Sequence, residues 1–371
     1  MPFPMQILLL TASVVLAFPL QAAQRFETEL VNIEAEQVAQ FSHPWGMTML
    51  PSGDILVTEQ RGRLWRVSDS GTKTEVSGLP QVTAVGQGGL LDVAADPKFK
   101  GNSRIFFTYS EPGSSGAGTA LASANLNGNR LEKIRVLFTM NRKTRRGQHF
   151  GSRIVFGPGD TVFVTIGDRG DGSRAQDRFD HAGAVIRVKR DGSIPEDNPF
   201  SDGRDGAPEI WSIGHRNPQG AALHPSTGEI FTVEHGARGG DEINAPEAGR
   251  NYGWPVISYG RHYSGARIGE GTVKAGMEQP LHYWDPSIAP SGMAFGFGDQ
   301  FPEWAEHLFV GALKDRKLVR LTLDEGELLP AEILFEGEFG RIRDVDFFAD
   351  GNLYLLTDED PGALIRITPA P

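Results

Sequence analysis

A turn followed by an extended apolar run recurs six times along the chain, and this repeat constrains the possible folds more than any other feature. Most units begin with a turn rich in Gly, Pro, Asp or Asn, and such turns beside alternating apolar residues are typical of strands in hairpins. Equivalent apolar positions in the six units are Ile55, Ile105, Val162, Ile230, Leu308 and Leu353. Their spacings of 50, 57, 68, 78 and 45 residues indicate one structural unit repeated with loop insertions of different length.

Further strand-like runs flank each unit. A short run of small and apolar residues precedes it, as in residues 89–91 and 220–222, and another run follows most units, as in residues 184–188. Helical periodicity is nearly absent. Six such units predict an all-β fold, a six-bladed β-propeller of four-stranded antiparallel blades. A β-sandwich of about twenty strands is the alternative, although a sandwich gives no reason for a period.

The N-terminus has the pattern of a targeting segment. Residues 7–18 are apolar but too few to span a bilayer comfortably, and the small-residue stretch Leu20-Gln21-Ala22-Ala23 follows them. We therefore predict a signal peptide over residues 1–22, cleaved after about Ala22, and a periplasmic or secreted protein. The first six residues carry no Lys or Arg, so a buried N-terminal strand or helix is the alternative.

The mature chain, residues 23–371, is predicted to be a single propeller domain. No later segment is apolar and long enough to span a membrane, so no membrane insertion is expected. The 36 basic and 47 acidic residues give a net charge of −11, which disfavours a nucleic-acid partner because phosphate binding needs a basic surface. The absence of Cys excludes disulfides, thiolate metal sites and a cysteine nucleophile.

Polar side chains with catalytic and binding potential stand close to the predicted first strand of several blades. In a propeller these first strands line the central channel, so residues next to their starts meet at one mouth. The residues concerned are Gln87, His149, Arg216, Asn217, Ser287, Arg341 and Arg343. Such a ring suits a polar, anionic ligand. The alternative is that each is an ordinary loop residue bonded to nearby backbone.

Several strings of this sequence resemble a known enzyme family. Two are specific: His215-Arg216-Asn217-Pro218-Gln219-Gly220 and Asn251-Tyr252-Gly253-Trp254-Pro255. Weaker strings lie at residues 86–92, 165–168, 191–199, 241–244 and 341–345. Together they resemble the soluble quinoprotein glucose and sorbosone dehydrogenases, most closely the periplasmic aldose sugar dehydrogenase branch. The resemblance extends from about His43 to the C-terminus.

The resemblance implies a six-bladed propeller that binds pyrroloquinoline quinone (PQQ) with Ca²⁺ and oxidises the C1 hydroxyl of aldoses to lactones. It makes His149 the general base that takes the hydroxyl proton while hydride passes to the quinone. It places Arg216 at the reacting quinone oxygen, where negative charge develops. The implied cofactor-binding residues are Gln87, Asn217, Ser287, Lys314, Arg341 and Arg343. The alternative for Lys314 is a solvated strand-end lysine.

Calcium ligands are also implied by the resemblance. The backbone carbonyls of Gly236 and Ala237 match those that bind the cofactor's Ca²⁺, and Glu242 with the Tyr252 carbonyl matches a second, structural Ca²⁺ site. The family usually has Pro where this chain has Ala237. From the residues alone, Glu242 belongs to an ordinary acidic turn.

Two further departures concern the catalytic region. Gln148 stands where some family members have Asp before the catalytic histidine, so we expect the tautomer of His149 to be set differently. The stretch 169–174 differs from the family's Gln- and Asn-rich loop, so no cofactor contact is assigned there. The polar loop 258–279 is expected to border the sugar cleft.

Two other functions remain open on the sequence. A Ca²⁺-dependent lactone hydrolase would need carboxylates and Asn aimed into the channel, and a non-enzymatic binding propeller would leave His149 and the arginines unexplained. The expected partners are an aldose sugar and an external electron acceptor, and the protein is expected to be a monomer or homodimer.

Overall fold

The computed structural model describes residues 23–324 and 326–371, and the predicted signal peptide, residues 1–22, lies outside them. Strands dominate this part of the chain. Its helical elements are one turn of α-helix, α1 (Phe99–Asn102), and two 3₁₀ turns at Gly172–Gln176 and Pro302–Trp304. Within the described residues no helix is long and apolar enough to cross a membrane.

The first half of the strands forms three complete blades. Two strands precede them, β1 (Gln24–Phe26) and β2 (Ile33–Phe41). The first blade comprises β3 (Pro44–Met49), β4 (Ile55–Glu59), β5 (Arg63–Val67) and β6 (Lys73–Val76). The second comprises β7 (Leu90–Ala95), β8 (Arg104–Gly113), β9 (Gly116–Asn127) and β10 (Arg130–Thr139). The third comprises β11 (Ile154–Gly157), β12 (Thr161–Thr165), β13 (Ala184–Lys189) and β14 (Ile210–Ile213).

The second half forms two more blades and most of a sixth. The fourth blade comprises β15 (Pro218–Leu223), β16 (Ile230–Glu234), β17 (Asp241–Asn244) and β18 (His282–Trp284). The fifth comprises β19 (Pro290–Phe295), β20 (Leu308–Ala312), β21 (Lys317–Asp324) and β22 (Glu327–Leu334). The chain ends with β23 (Ile342–Phe347), β24 (Leu353–Thr357) and β25 (Gly362–Pro369).

The two ends of the chain close the ring together. β2 pairs antiparallel with β25, from Ile33 opposite Pro369 to Phe41 opposite Gly362, and β1 adds a fifth strand outside β2. The sixth blade therefore joins strands from both ends of the described chain. Because β2 continues through two residues into β3, its pairing with β25 ties the first blade to the C-terminal strands through backbone hydrogen bonds.

The first strands of the blades stand around a central channel. Neighbours in the series β3, β7, β11, β15, β19 and β23 contact one another, and β23 contacts β3 to complete the circle. Core packing also joins neighbouring blades: Leu56 and Leu64 of the first blade share one buried cluster with Val93 and Phe107 of the second. The six-bladed propeller predicted from the repeat is confirmed, and the sandwich alternative is wrong.

The predicted repeat units are the second strands of the blades. Ile55, Ile230, Leu308 and Leu353 begin β4, β16, β20 and β24, and Ile105 and Val162 are the second residues of β8 and β12. Because every first strand runs in the same direction through the channel, the residues before these strands lie at one mouth. Residues from the ends of the same strands, such as Thr48, Phe295 and Asp346, line a cavity of about 490 Å³ at the opposite mouth.

A buried ion cluster crosses the channel between the two mouths. The Arg153 guanidinium lies 3.0 Å from Asp92 and 2.8 Å from Asp344, and it donates to the Gln219 carbonyl. These residues belong to the second, third, fourth and sixth blades. Burial raises the pKa of Asp92 to about 6, although the charge of Arg153 opposes the shift, and burial also raises the pKa of Asp344.

Candidate active site

Three adjacent cavities lie at the mouth where the first strands begin, and His235 lines all three. Most of the residues predicted from the sequence line one of them. The cavity of about 460 Å³ contains Gln87, Asn217, Arg341 and Arg343. The cavity of about 770 Å³ contains Gly236, Ala237, Ser287 and Lys314. A narrow space of about 10 Å³, which shares His235 with both, is lined by Arg216, Glu242 and Tyr252.

His149 adjoins this group through two hydrogen bonds. Its backbone N–H donates to Oε1 of Gln87 at 2.7 Å, and its ring Nδ1 lies 2.6 Å from Oδ1 of Asp168. The residue is buried and has a φ of 57°, a left-handed conformation that is uncommon outside glycine. Strained backbone of this kind is concentrated at functional sites, where neighbouring contacts hold it in place.

Asp168 fixes which nitrogen of His149 can act as a base. Its second oxygen, Oδ2, accepts the indole N–H of Trp254 at 2.8 Å, and Oδ1 also accepts the Gly170 N–H at 2.6 Å. Burial raises the pKa of Asp168, but the hydrogen bond with His149, the charge of His149, the Gly170 N–H and the charge of Arg216 outweigh it and lower the pKa overall. An ionised carboxylate only accepts hydrogen bonds, so Nδ1 of His149 carries a proton in this pair, and Nε2 is the ring nitrogen available to other partners.

Arg216 lies just before the first strand of the fourth blade and contacts both Asp168 and Trp254. Its Nη1 donates to the carbonyls of His235 and Gly236, and its guanidinium lies 5.2 Å from the centre of the Trp254 ring. The backbone carbonyl of Arg216 accepts the Asp168 N–H at 2.8 Å. Trp254 therefore contacts both the partner of His149 and the guanidinium of Arg216.

Three of the cations predicted from the sequence face the two larger cavities. Arg343 donates to Gln219 Oε1 at 2.8 Å and to Asp358 at 2.7 Å, whereas Arg341 lies 3.6 Å from the same aspartate. Lys314 is more exposed and donates to the Ser287 carbonyl at 2.7 Å. Burial raises the pKa of Asp358, but Arg343 leads the groups that lower it, and the net pKa is about 2.

The donor set of this mouth fits an anionic ligand with several carboxylates. Nδ2 of Asn217 and Nε of Arg343 are buried and have no hydrogen-bond partner among the described residues. Cations on blades five and six and an amide from blade four thus line adjoining cavities large enough for a tricyclic molecule. PQQ has three carboxylates and planar rings, so the residues present fit it.

Two residues of the mouth are already engaged within the protein. Ser287 donates its hydroxyl hydrogen to Asp241, at 2.7 Å from Oδ2, so the hydroxyl oxygen can only accept from a ligand. His235 is 2.6 Å from the Pro290 carbonyl through Nε2. Burial and the charge of Arg216 lower the pKa of His235 to about 3, so its ring stays neutral at working pH.

Three of the predicted calcium ligands, Gly236, Glu242 and Tyr252, line the narrow space, whereas Ala237 lines the 770 Å³ cavity. Burial and the neighbouring charge of Glu234 raise the pKa of Glu242, and Tyr252 is next to both. The Gly236 carbonyl, assigned to the cofactor's Ca²⁺, instead accepts from Arg216. Among the described residues no three His, Cys, Asp or Glu side chains are clustered as metal ligands, so any Ca²⁺ here needs backbone carbonyls or ligand oxygens.

Several residues of the site were not singled out from the sequence. Asp168 ends the family-like segment at residues 165–168, but the sequence assigns it no role. Trp254, Gln219 and Asp358 also have no role assigned from the sequence. Gln148 provides no carboxylate directly before His149, and Asp168 supplies one from across the loop. Arg169, where no cofactor contact was assigned, is buried and donates to the Gln148 carbonyl, so it supports the backbone before His149.

Comparisons with known proteins agree with this fold. A family model described as "Glucose / Sorbosone dehydrogenase" matches residues 41–366. The aldose sugar dehydrogenase YliI of Escherichia coli is 41% identical over 347 residues, which cover 91% of this chain and 93% of that protein. The quinoprotein glucose dehydrogenase B of Acinetobacter calcoaceticus is 27% identical over 467 residues, covering 97% and 96%.

Solved structures give the same result. The soluble aldose sugar dehydrogenase of E. coli in its apo form superposes with a TM-score of 0.88 at 39% identity, covering 91% of this chain and 100% of that one. The PQQ-bound aldose sugar dehydrogenase of Streptomyces coelicolor superposes with a TM-score of 0.74 at 27% identity, covering 90% and 98%. The family match and the E. coli relative together extend over most of the chain. The chain therefore belongs to the glucose/sorbosone dehydrogenase family.

Proposed function

We propose that the protein is a PQQ-dependent aldose dehydrogenase that oxidises the C1 hydroxyl of a sugar to a lactone. The observation that carries the proposal is the pairing of His149 with ionised Asp168 beside cavities lined by Arg216, Arg341 and Arg343. The relatives named as aldose sugar dehydrogenase and quinoprotein glucose dehydrogenase support the same chemistry.

His149 is the proposed general base. Its Nε2 takes the proton of the C1 hydroxyl, because Nδ1 is held protonated against Asp168. Asp168 stabilises the imidazolium that forms and keeps the ring in one orientation. When bound, the quinone supplies the two-electron acceptor for the hydride that leaves C1.

Arg216 is the proposed electrostatic partner of the reaction. The His235 carbonyl and the Trp254 ring hold its guanidinium beside the cavities, where it would stabilise negative charge that develops nearby. Lys314, Arg341 and Arg343 would hold the cofactor's carboxylates, with Asn217 and Gln87 as neutral contacts. Ser287 would add an acceptor oxygen.

The proposal also includes Ca²⁺, which would bind together with the cofactor. The Gly236 and Ala237 carbonyls would bind it, which requires Arg216 to leave the Gly236 carbonyl. Glu242 and the Tyr252 carbonyl would bind a structural Ca²⁺, and a cation there would offset the repulsion between Glu242 and Glu234.

Export to the periplasm or outside the cell is also proposed, on the pattern of residues 1–22. Intact-mass measurement of protein from the host's periplasm or medium tests it. A mature protein beginning near Ala23 is expected, and an intact Met1 terminus on a cytoplasmic protein would contradict it.

Reconstitution tests the activity. Purified protein should gain sugar-dependent reduction of an artificial dye only when both PQQ and Ca²⁺ are added, with a lactone as product. Activity with a nicotinamide cofactor, or hydrolysis of a lactone without dye reduction, would refute the proposal. A chelator control, with Ca²⁺ restored afterwards, separates the need for the metal from the need for the quinone.

A further inference from the structure

Three arginines lie on neighbouring bridged segments, and two of them, Arg238 and Arg261, line the 770 Å³ cavity. Short β-bridges pair Arg238 with Arg261 and Arg261 with Arg267, both antiparallel. Partners in an antiparallel bridge point their side chains to the same face, with Cβ atoms about 4.5–5.5 Å apart. The side chains of the three arginines therefore project from the same face of a small sheet.

This arrangement is unfavourable unless an anion is present, because like charges directly opposite one another destabilise a pair. Two other cations, in the segment between β17 and β18, are paired with acids: Arg250 with Glu278 at 3.2 Å, and Lys274 with Glu270 at 2.8 Å. Within the described part of the chain, the side chains of Arg238 and Arg261 form no ion pair or hydrogen bond. Arg267 donates only to a backbone carbonyl, that of Glu270.

The cavity next to the arginines combines positive charge with an aromatic surface. Arg238, Arg261 and Tyr263 line it, and Tyr263 is 76% exposed. Lys314 and one acid, Asp285, also line it, so the charged residues of the lining leave an excess of two positive charges. Exposed aromatic rings beside charged groups are typical of sites that bind amphipathic ligands such as sugars.

The arginines are close enough to the proposed reaction centre to contact the same molecule. Arg216 donates to the Gly236 carbonyl, and Arg238 follows Gly236 by two residues, so the Cα atoms of Gly236 and Arg238 are at most about 7 Å apart. The cavity that Arg238 and Arg261 line shares His235 and Gly236 with the space that Arg216 lines, so a ligand that spans both has one end next to these arginines.

We propose that Arg238, Arg261 and Arg267 bind an anionic group (phosphate, sulfate or carboxylate) carried by the aldose substrate. The proposal rests on the proposed function: C1 of the sugar faces His149 while its charged end contacts the arginines. The preferred substrates are then acidic sugars, such as a hexuronic acid or a sugar phosphate, rather than neutral hexoses.

The test compares neutral and acidic sugars with the reconstituted holoenzyme. At low ionic strength, kcat/KM for glucuronate or glucose 6-phosphate should exceed that for glucose by about tenfold or more, the effect of one or two charge-assisted contacts. Changing Arg238 and Arg261 together to Gln should lower this ratio at least tenfold. Arg130→Gln, which removes an exposed arginine of the β9–β10 hairpin, should leave the ratio unchanged.

A binding measurement supplies a readout that does not depend on turnover. Inorganic phosphate and glucose 6-phosphate should raise the melting temperature of the wild type and of Arg130→Gln, and raise that of the double variant much less. An equal rise in all three proteins would overturn the anion site. If no sugar is oxidised but phosphate still stabilises the wild type selectively, the proposed function fails and the anion site stands without its sugar.

The anionic group has a second possible source, a small anionic electron acceptor. With glucose as the sugar, KM for ferricyanide is compared with KM for a neutral dye in the wild type and the double variant. A raised KM for ferricyanide, with the ratio of acidic to neutral sugars unchanged, would overturn the assignment to the substrate. A changed sugar ratio with both acceptors would support it.

Discussion

Replacing Arg153 with Met should destabilise the propeller more than any loss of a surface ion pair, and the deficit should shrink in acid. Arg153 is buried and contacts Asp92 at 3.0 Å and Asp344 at 2.8 Å. Methionine occupies a similar volume without a charge, so two buried carboxylates lose their cation. Breaking a buried pair in this way costs about 3–5 kcal/mol.

The pH dependence follows from the carboxylates. The pKa of Asp92 is about 6 in the native protein and about 4 when exposed, so the native state binds its proton more tightly. Stability from this group is therefore gained as pH falls through 6 and lost as pH rises through 6. Without Arg153 the pKa values of Asp92 and Asp344 rise further, so both protonate at higher pH and the deficit at pH 5 is smaller than at pH 7.5.

Urea unfolding followed by tryptophan fluorescence at both pH values is a suitable assay, since the chain has six Trp. Arg66→Met is the matched control, because it breaks a partly exposed pair with Asp54 and should cost less than about 1 kcal/mol. A deficit for Arg153→Met no larger than that of the control, or a larger deficit at pH 5 than at pH 7.5, would refute this reasoning.

Four predictions concern the site. His149→Ala should keep the absorbance of bound PQQ but lose turnover, and unchanged turnover would remove His149 from the mechanism. Asp168→Asn should lower kcat at least about a hundredfold with little change in cofactor binding, because the wrong tautomer of the base is favoured. Trp254→Phe removes one donor to the carboxylate and should lower kcat about tenfold, whereas an effect on KM alone would assign the indole to substrate binding. Alanine at both Arg341 and Arg343 should weaken PQQ affinity at least about a hundredfold in a fluorescence titration, and unaltered affinity would place both outside the cofactor site.

The sequence predicted the blades because each blade repeats the same local chemistry. Turns and alternating apolar residues recur at Ile55, Ile230 and Leu353, and ring closure then follows from the number of units. The sequence also predicted which residues line the mouth, because in a propeller the residues before the first strands of all blades lie at the same end of the channel. Gln87, Asn217 and Arg341 are distant in sequence and line one cavity.

The partners of these residues could not be predicted, because each contact joins residues far apart in the chain. Trp254 reaches Asp168 across 86 residues, and Arg343 reaches Gln219 across 124. In sequence, Asp168 looks like an ordinary turn residue after a strand. Ser287 was assigned to the cofactor, and only the fold shows that its hydroxyl donates to Asp241.

The orientation of His149 depends on two blades rather than one. Its backbone has a φ of 57°, a conformation that costs free energy for a residue with a side chain. Gln87, before the second blade, accepts the backbone N–H of His149, and Asp168, in the third blade, contacts Nδ1 of its ring. The relative position of these blades is fixed in turn by Arg153, which pairs with Asp92 of the second blade from the start of the third. A change in the buried ion cluster that shifts one blade against the other should therefore disturb the base before it unfolds the protein, which links the stability of the channel to the chemistry at its mouth.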